Sequence, residues 1–185
     1  MTDEKCKTLV CNLYAGPGTG KSSTMAGVFS ELKFRGMNCE QAPEFAKEKV
    51  WEGSLRILSN QIYVFGKQLH TIMRVVGQVE CVITDSPLLL SMVYGKKCTQ
   101  TFKDLVFETY SNMWNLDIFL TRNKKYNPNG RLQDEDQAKG IDTEVRTILD
   151  SKGIQYSTLP AGPHSIPVIA DMVENLVGNG TMIYK

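Results

Sequence analysis

The chain lacks the features that mark several large protein classes. It has no apolar run approaching the length of a membrane-spanning helix, and residues 1–7 contain no apolar region of the kind found in signal peptides. It contains neither an internal repeat nor a low-complexity tract. The five cysteines are widely spaced and form no C-x-x-C pair, which argues against a structural zinc site and against a disulfide framework. We therefore expect a cytoplasmic protein without membrane partners, in a reducing compartment.

Charge and length narrow the classes further. The net charge is only +1, from 21 Lys+Arg against 20 Asp+Glu, which argues against a chain that is basic over its whole surface and binds nucleic acid. A local basic stripe stays open as an alternative. At 185 residues the chain has room for one sizeable core. We expect a single domain over residues 1–185, as a monomer or homodimer, without the extra helical domain of a motor ATPase.

The most informative segment is a glycine-rich loop between a strand-like stretch and a helix-like one. Such a loop lets backbone N–H groups surround phosphate oxygens, and the following helix adds the positive end of its dipole. The lysine of this pattern reaches the β- and γ-phosphates, and the hydroxyl after it holds Mg²⁺. The sequence therefore predicts an ATP and Mg²⁺ site formed by Gly16, Pro17, Gly18, Thr19, Gly20, Lys21, Ser22 and Ser23. Ala15 stands where the strict pattern has glycine; we expect this to matter little, because the sharper demands fall on Gly18 and Gly20.

Strand-like and helix-like segments alternate along the chain, which predicts an α/β fold with five parallel strands and helices on both faces of the sheet. Predicted strands cover about 7–14, 38–41, 80–84, 116–121 and 155–159. Predicted helices cover about 21–35, 54–76, 100–114, 135–151 and 165–177, with two more beginning near Pro43 and Pro87. In such sheets ligands bind at the carboxyl ends of the strands.

Two acidic residues follow predicted strands. Asp85 ends an apolar predicted strand. In P-loop proteins a carboxylate at such a position holds Mg²⁺ or orients the nucleophile. The alternative is a helix N-cap, because Asp85-Ser86-Pro87 also resembles a helix start. Glu44 could orient a phosphoryl acceptor and take its proton, or it could stabilise a helix dipole from the first turn. On the long predicted helix, Gln61, Gln68 and His70 could line an acceptor pocket, although a histidine such as His70 is more often just a partly exposed helix residue.

The remaining strand ends supply cations and a glycine. The stretch 122–136 is polar, basic and rich in turn residues, and Arg122 and Arg131 bracket its Pro/Gly centre. We expect a lid whose arginines neutralise charge on the transferring phosphoryl group; the alternative is a solvated surface loop. Gly162 follows the fifth strand and is expected beside the nucleotide.

Four motifs together resemble one group of enzymes. They are the P-loop 16–22, Pro43-Glu44-Phe-Ala-Lys47, Thr84-Asp85-Ser86-Pro87 and Tyr126-Asn-Pro-Asn-Gly-Arg131-Leu-Gln. Over nearly its whole length the chain is similar to small P-loop nucleoside and nucleotide kinases, and more narrowly to phage-encoded AAA-like ATP-binding kinases related to nicotinamide riboside kinase domains. Lys47 stands where that group usually has arginine. The resemblance implies a nucleoside monophosphate kinase-like fold and transfer of the γ-phosphoryl group of ATP.

Three functions are compared on this basis. The first is a kinase acting on a nucleoside or nucleotide, with Lys21, Glu44, Asp85, Arg122 and Arg131 as catalytic residues and Ser22 and Asp85 as metal ligands. The second keeps the chemistry but takes a hydroxymethylated base in DNA as acceptor, which is phage DNA modification; a basic face of Lys96, Lys97, Lys103, Lys124 and Lys125 would favour it. The third is a GTPase-type switch, which requires an Asn-Lys-x-Asp motif for guanine and an Asp-x-x-Gly motif after a strand. Asn123-Lys124-Lys125-Tyr126 lacks the carboxylate of the first motif, and Asp85-Ser-Pro-Leu88 lacks the glycine of the second.

Overall fold

The computed structural model describes residues 8–123 and 134–181. Its strands are β1 (Leu9–Tyr14), β2 (Cys39–Ala42), β3 (Cys81–Thr84), β4 (Trp114–Thr121) and β5 (Ser157–Pro160). All neighbouring strands are parallel, in the order β2-β3-β1-β4-β5. The strand that leads into the glycine-rich loop is therefore central, with β3 and β4 on either side of it.

Eight helices connect these strands within the described ranges. They are α1 (Lys21–Phe34), α2 (Phe45–Trp51), α3 (Leu55–Leu58), α4 (Gln61–Met73), α5 (Leu90–Tyr94), α6 (Gln100–Ser111), α7 (Glu135–Ser151) and α8 (Ser165–Thr181). None of the helices in this part of the chain is long and apolar enough to cross a membrane.

Alternate residues of β1 point to opposite faces of the sheet and build two cores. Leu9, Cys11 and Leu13 pack with α1 and α8, whereas Val10 and Tyr14 pack with α4, α5, α6 and α7. Both faces are apolar because helices cover both, as expected for a parallel sheet. The predicted fold class, a five-stranded parallel sheet with helices on both faces, is confirmed.

Three predicted element boundaries are wrong. The helix expected over 54–76 is divided into α3 and α4, because the Asn60 side chain accepts a hydrogen bond from the N–H of Tyr63 (3.2 Å) and starts a new helix. The helix expected over 100–114 ends at Ser111, since Trp114 pairs with Leu9 at the start of β4. The helix expected near Pro87 begins only at Leu90.

A polar cluster lies buried in the face that α6 covers. One oxygen of Asp117 accepts a hydrogen bond from the Tyr110 hydroxyl (2.5 Å), and the other accepts one from the Asn12 side-chain amide (3.1 Å). Asp117 is buried. Burial raises the pKa of its carboxyl group, and the hydrogen bonds oppose that rise only in part. This cluster is away from the carboxyl ends of the strands, because Asp117 pairs with Asn12 in the middle of β1.

Candidate nucleotide site

The glycine-rich loop turns from β1 into α1 at two left-handed glycines. Gly18 and Gly20 have φ angles of 78° and 118°, a region that side chains with a Cβ rarely adopt. Ala15 is buried. Its φ is not positive, and neither is that of any other non-glycine residue described. The alanine at the first position of the motif is therefore compatible with the loop. Gly20 is the N-cap of α1, so the N–H groups of the first helical turn face the loop.

Lys21 lies folded back onto this loop. Its Nζ donates hydrogen bonds to the carbonyl oxygens of Ala15 (2.8 Å) and Gly16 (3.0 Å), and the side chain is 9% exposed. Burial lowers the pKa of Lys21, and the carboxylates of Glu44, Asp85 and Asp142 act in the opposite direction. Carboxylates from three different elements therefore favour the charged form of Lys21, while Arg122 and burial oppose it.

Asp85 follows β3, the strand next to β1, and is 2% exposed. Its Oδ1 is buried and has no hydrogen-bond partner among the described residues. It does not cap α5, whose N-cap is Leu89, so the helix-start alternative does not describe this residue. A buried carboxylate oxygen without a donor is costly unless a ligand or cation satisfies it. With the hydroxyl of Ser22, it supplies the kind of oxygen ligands that Mg²⁺ prefers.

Glu44 and Lys47 approach the loop from the other side. Glu44 is the N-cap of α2 and makes no side-chain capping hydrogen bond there. It therefore stands both at the N-terminus of a helix and just after β2, and its catalytic role stays a prediction. One turn later, Lys47 Nζ donates a hydrogen bond to Ser22 Oγ (3.3 Å). The segment after β2 therefore contacts the hydroxyl of the P-loop motif directly.

The three polar residues predicted on the long helix have different positions. Gln68 is buried; its Oε1 accepts from the N–H of Phe45 (3.2 Å), and its Nε2 donates to the Thr84 hydroxyl (3.3 Å). It ties α4 to α2 and β3. Gln61 donates to the carbonyl of Leu58 (2.6 Å), and His70 is exposed. Gln68 therefore serves the packing of these elements rather than an open pocket.

Arg122 lies at the end of β4, against α7. Its Nε donates to Asp142 Oδ2 (2.7 Å), and its Nη2 donates to the carbonyl of Ala138 (3.2 Å). Asp142 Oδ1 accepts from the N–H of Gly16 (2.5 Å). Arg122 therefore lies next to Gly16, and its expected action on the transferring phosphoryl group stays a prediction. Asp142 was missed, because nothing in a polar helical stretch marks which carboxylate turns inward.

The other predicted residues have varied surroundings. Gly162 has a φ of 141°, and a Cβ built on it would lie 3.4 Å from the side-chain amide of Asn123, so the ends of β4 and β5 meet there. Thr19 donates to the carbonyl of Gly16 (3.0 Å), and Ser23 is exposed. Pro17 is half-buried in the loop. Arg131 and most of the predicted lid, residues 124–133, lie outside the described residues.

Comparison with known proteins places this geometry in context. A family model described as an AAA domain matches residues 11–165, from within β1 to the first residue of α8. The match includes the glycine-rich loop and the ends of all five strands. No curated protein matches the chain.

Proposed function

The chain belongs to the AAA-domain family through residues 11–165, and from that premise we propose that it is an ATP-dependent kinase with a nucleoside or nucleotide-type acceptor. Family membership itself carries the coarser property, which is binding of a nucleoside triphosphate by a P-loop, usually with Mg²⁺. The kinase proposal covers residues 1–185 as one domain. Its catalytic residues are Lys21, Glu44, Asp85 and Arg122, together with Arg131 outside the described residues.

The phosphate end of the proposed site is formed by the loop and α1. Gly18 and Gly20 let the backbone turn so that N–H groups at the start of α1 face one side, where a triphosphate would bind. Lys21 already directs its ammonium group into the same loop. In the proposal, its Nζ leaves the two carbonyls and binds the β- and γ-phosphate oxygens.

The residues proposed to hold Mg²⁺ are Ser22 and Asp85. The unpartnered, buried Oδ1 of Asp85 is the observation that fits a cation at this position. Bound there, Mg²⁺ would neutralise charge on the β- and γ-phosphates. Lys47 now donates to the Ser22 hydroxyl and would have to release it, and an ammonium group displaced from there can turn to a phosphate oxygen.

The observation that carries the kinase proposal is the presence of two separate carboxylates at this end of the sheet. Asp85 is buried at the end of β3, whereas Glu44 is half-buried at the end of β2, and both act on the charge of Lys21. In the proposal, Glu44 accepts the hydrogen bond of the acceptor hydroxyl. The hydroxyl oxygen attacks the γ-phosphorus, the bond to the bridging oxygen of ADP breaks, and the proton passes to Glu44.

The surface beside Glu44 supports a nucleoside-type acceptor. Helix α2 buries no residue, and α2, α3 and the start of α4 expose several large apolar side chains. These are Trp51, Leu55, Ile57, Ile62 and Tyr63. Phe45 and Tyr63 meet edge to face with ring centres 5.8 Å apart. Aromatic side chains stack on nucleobases with about 1–3 kcal/mol per base, which suits an acceptor that contains a base.

The DNA-base acceptor is kept as the alternative within the same chemistry. Of the lysines that would form its basic face, Lys96 is paired with Glu144 on α7 (2.6 Å), and Lys124 and Lys125 lie outside the described residues. Lys97 and Lys103 belong to the segment between α5 and α6 and to α6 itself. This distribution favours the small acceptor, and the experiment below includes both.

The test is transfer of label from γ-labelled ATP to a panel of acceptors, with product masses measured. The panel contains nucleosides, nucleoside monophosphates, nicotinamide riboside and DNA with hydroxymethylated bases. Release of phosphate to water alone, with every acceptor unlabelled, would show an NTPase and refute the kinase proposal.

The role of Glu44 is tested by Glu44→Gln against Glu48→Gln, a change of an exposed glutamate on the same helix. Glu44→Gln should lower turnover by about 10²-fold or more, because it removes the proton acceptor, with little change in ATP affinity. Glu48→Gln should leave both unchanged. Unaltered turnover in Glu44→Gln would remove Glu44 from the catalytic residues.

A further inference from the structure

Three elements of the fold meet at one carboxylate, Asp142 of α7. Its Oδ1 accepts from the N–H of Gly16 in the glycine-rich loop (2.5 Å), and its Oδ2 accepts from Nε of Arg122 at the end of β4 (2.7 Å). The carbonyl of Ala138, one turn earlier on α7, accepts from Nη2 of Arg122 (3.2 Å). Each carboxylate oxygen thus holds a different element against the same helix.

The loop lies so close to α7 at Gly16 that this position has no room for a side chain. A Cβ built on Gly16 would lie 2.4 Å from the Ala138 carbonyl oxygen and 2.9 Å from Asp142 Oδ1. The side chains of Arg122 and Asp142 are only 16% and 19% exposed. A bond between charged groups that are largely shielded from solvent is stronger than a surface pair.

The same peptide segment also receives Lys21. The carbonyl of Gly16 accepts from Lys21 Nζ (3.0 Å) and from the Thr19 hydroxyl (3.0 Å), while the N–H of Gly16 is held by Asp142. A continuous path of hydrogen bonds therefore runs from Arg122 through Asp142 and Gly16 to Lys21. In the proposed function Lys21 leaves this segment for the phosphates, and the bond to Asp142 then still holds the N–H of Gly16.

We propose that Asp142 is a positioning residue of the nucleotide site, which couples Arg122 to the P-loop so that both keep the register needed to bind phosphates. Asp142 does not touch the nucleotide in this proposal. Its charge is balanced by Arg122, so the pair adds little net repulsion toward the phosphates. Without Asp142, the start of the loop and the guanidinium group lose their common anchor. The proposal rests on triphosphate binding by the P-loop and not on the identity of the acceptor.

The experiment is a double-mutant cycle read by binding of a non-hydrolysable ATP analogue with Mg²⁺. Asp142→Ala and Arg122→Ala should each weaken binding by about 10-fold, which corresponds to about 1.4 kcal/mol. The affinity of the double variant for the analogue should lie within about 3-fold of the affinity of the weaker-binding single variant, because both changes break the same coupling. Asp142→Asn should fall between wild type and Asp142→Ala, since its amide oxygen can still accept from the N–H of Gly16.

Two further measurements separate positioning from simple stabilisation of α7. The control Glu144→Gln breaks the exposed pair between α7 and Lys96 and should leave analogue affinity unchanged. The rise in melting temperature on adding the analogue should shrink in Asp142→Ala, whatever its melting temperature without ligand. If Asp142→Ala does not fold, the comparison of Arg122→Ala with Asp142→Asn and their double variant still gives the coupling.

Additive losses in the cycle, or wild-type affinity in Asp142→Ala, would overturn the proposal. So would an equal loss in Glu144→Gln. If only the kinase proposal is wrong, the transfer assay labels no acceptor, whereas the double-mutant cycle still shows coupling between Arg122 and Asp142 in analogue binding.

Discussion

Substituting Gly16 by alanine should destabilise the protein and weaken nucleotide binding, although alanine is the smallest change the position allows. Gly16 does not have a positive φ, so backbone conformation is not the reason. The reason is space, because the loop lies against α7 at this residue. A methyl group at position 16 would lie 2.4 Å from the carbonyl oxygen of Ala138, about 1 Å inside the 3.4 Å of ordinary contact.

The size of the effect follows from what must move. The obstacle is a backbone carbonyl and not the end of a flexible side chain, so the loop or α7 has to shift as a unit. Overpacking of this kind costs about 1–3 kcal/mol. The shift also stretches the hydrogen bond from the Gly16 N–H to Asp142, and such bonds to charged groups contribute about 1.5–3 kcal/mol. Because the hydrogen bond is stretched and not lost, only part of its contribution disappears, and we expect Gly16→Ala to lose about 2–4 kcal/mol. This is a large share of the roughly 5–15 kcal/mol of a typical domain.

The assay is urea denaturation with and without an ATP analogue, and Gly140→Ala is the matched control. Gly140 also belongs to α7, but a Cβ there meets nothing within 4 Å. Alanine in a helix interior is favoured over glycine by about 0.5–1 kcal/mol, so the control should be slightly more stable than wild type. The two glycine-to-alanine changes should therefore have opposite signs. Wild-type stability and analogue affinity in Gly16→Ala would refute the packing argument.

Three further outcomes are expected. Lys21→Ala should lower turnover by about 10²-fold or more with an unchanged far-ultraviolet circular dichroism spectrum, and turnover above about a tenth of wild type would contradict the P-loop role of Lys21. Asp85→Asn should raise the Mg²⁺ concentration needed for half-maximal turnover much more than it weakens nucleotide binding, because an amide cannot neutralise the cation; equal effects on both would contradict this. Asp117→Asn concerns stability: burial raises the pKa of Asp117, so its carboxyl group stabilises the fold below about pH 4 and this contribution is lost as pH rises through the folded pKa. Denaturation at a series of pH values rising from about 4 should therefore show the Asn variant gaining on wild type, and a difference that is the same at every pH would refute the assignment.

The P-loop and the fold class were predictable because their signals are local. A β-branched or apolar strand, a glycine-rich turn and a helix follow one another within about 30 residues, and each needs only its own sequence to be recognised. The positions of Asp85 and Glu44 just after β3 and β2 were predictable for a related reason. Parallel strands all end at the same edge, so a carboxylate directly after a strand is placed near the loop by topology alone.

Asp142 and the division of the long helix were not predictable in this way. Asp142 is one of several acidic residues on α7, and only the crossing of α7 over Gly16 turns it toward the loop. Asn60 lies within an apolar pattern of helical spacing, where an asparagine can either continue the helix or cap a new one, and in the structure it caps α4 by accepting from the N–H of Tyr63. Gln68 was predicted as a residue that could line an acceptor pocket, whereas in the structure its side-chain amide is hydrogen-bonded to Phe45 and Thr84. Each error concerns a side chain whose partner is distant or whose local geometry has two solutions.

The exposure of Trp51 gives the protein an intrinsic optical reporter. The chain has two tryptophans, and the other, Trp114, lies in β4 and packs against the core. Trp51 is the last residue of α2 and is 70% exposed, on the apolar surface beside Glu44. Its emission should therefore be red-shifted and accessible to aqueous quenchers, while Trp114 is only partly exposed and its emission should be less so. A ligand that covers α2 would shift the red component to shorter wavelength, and one that occupies only the P-loop would leave that component in place.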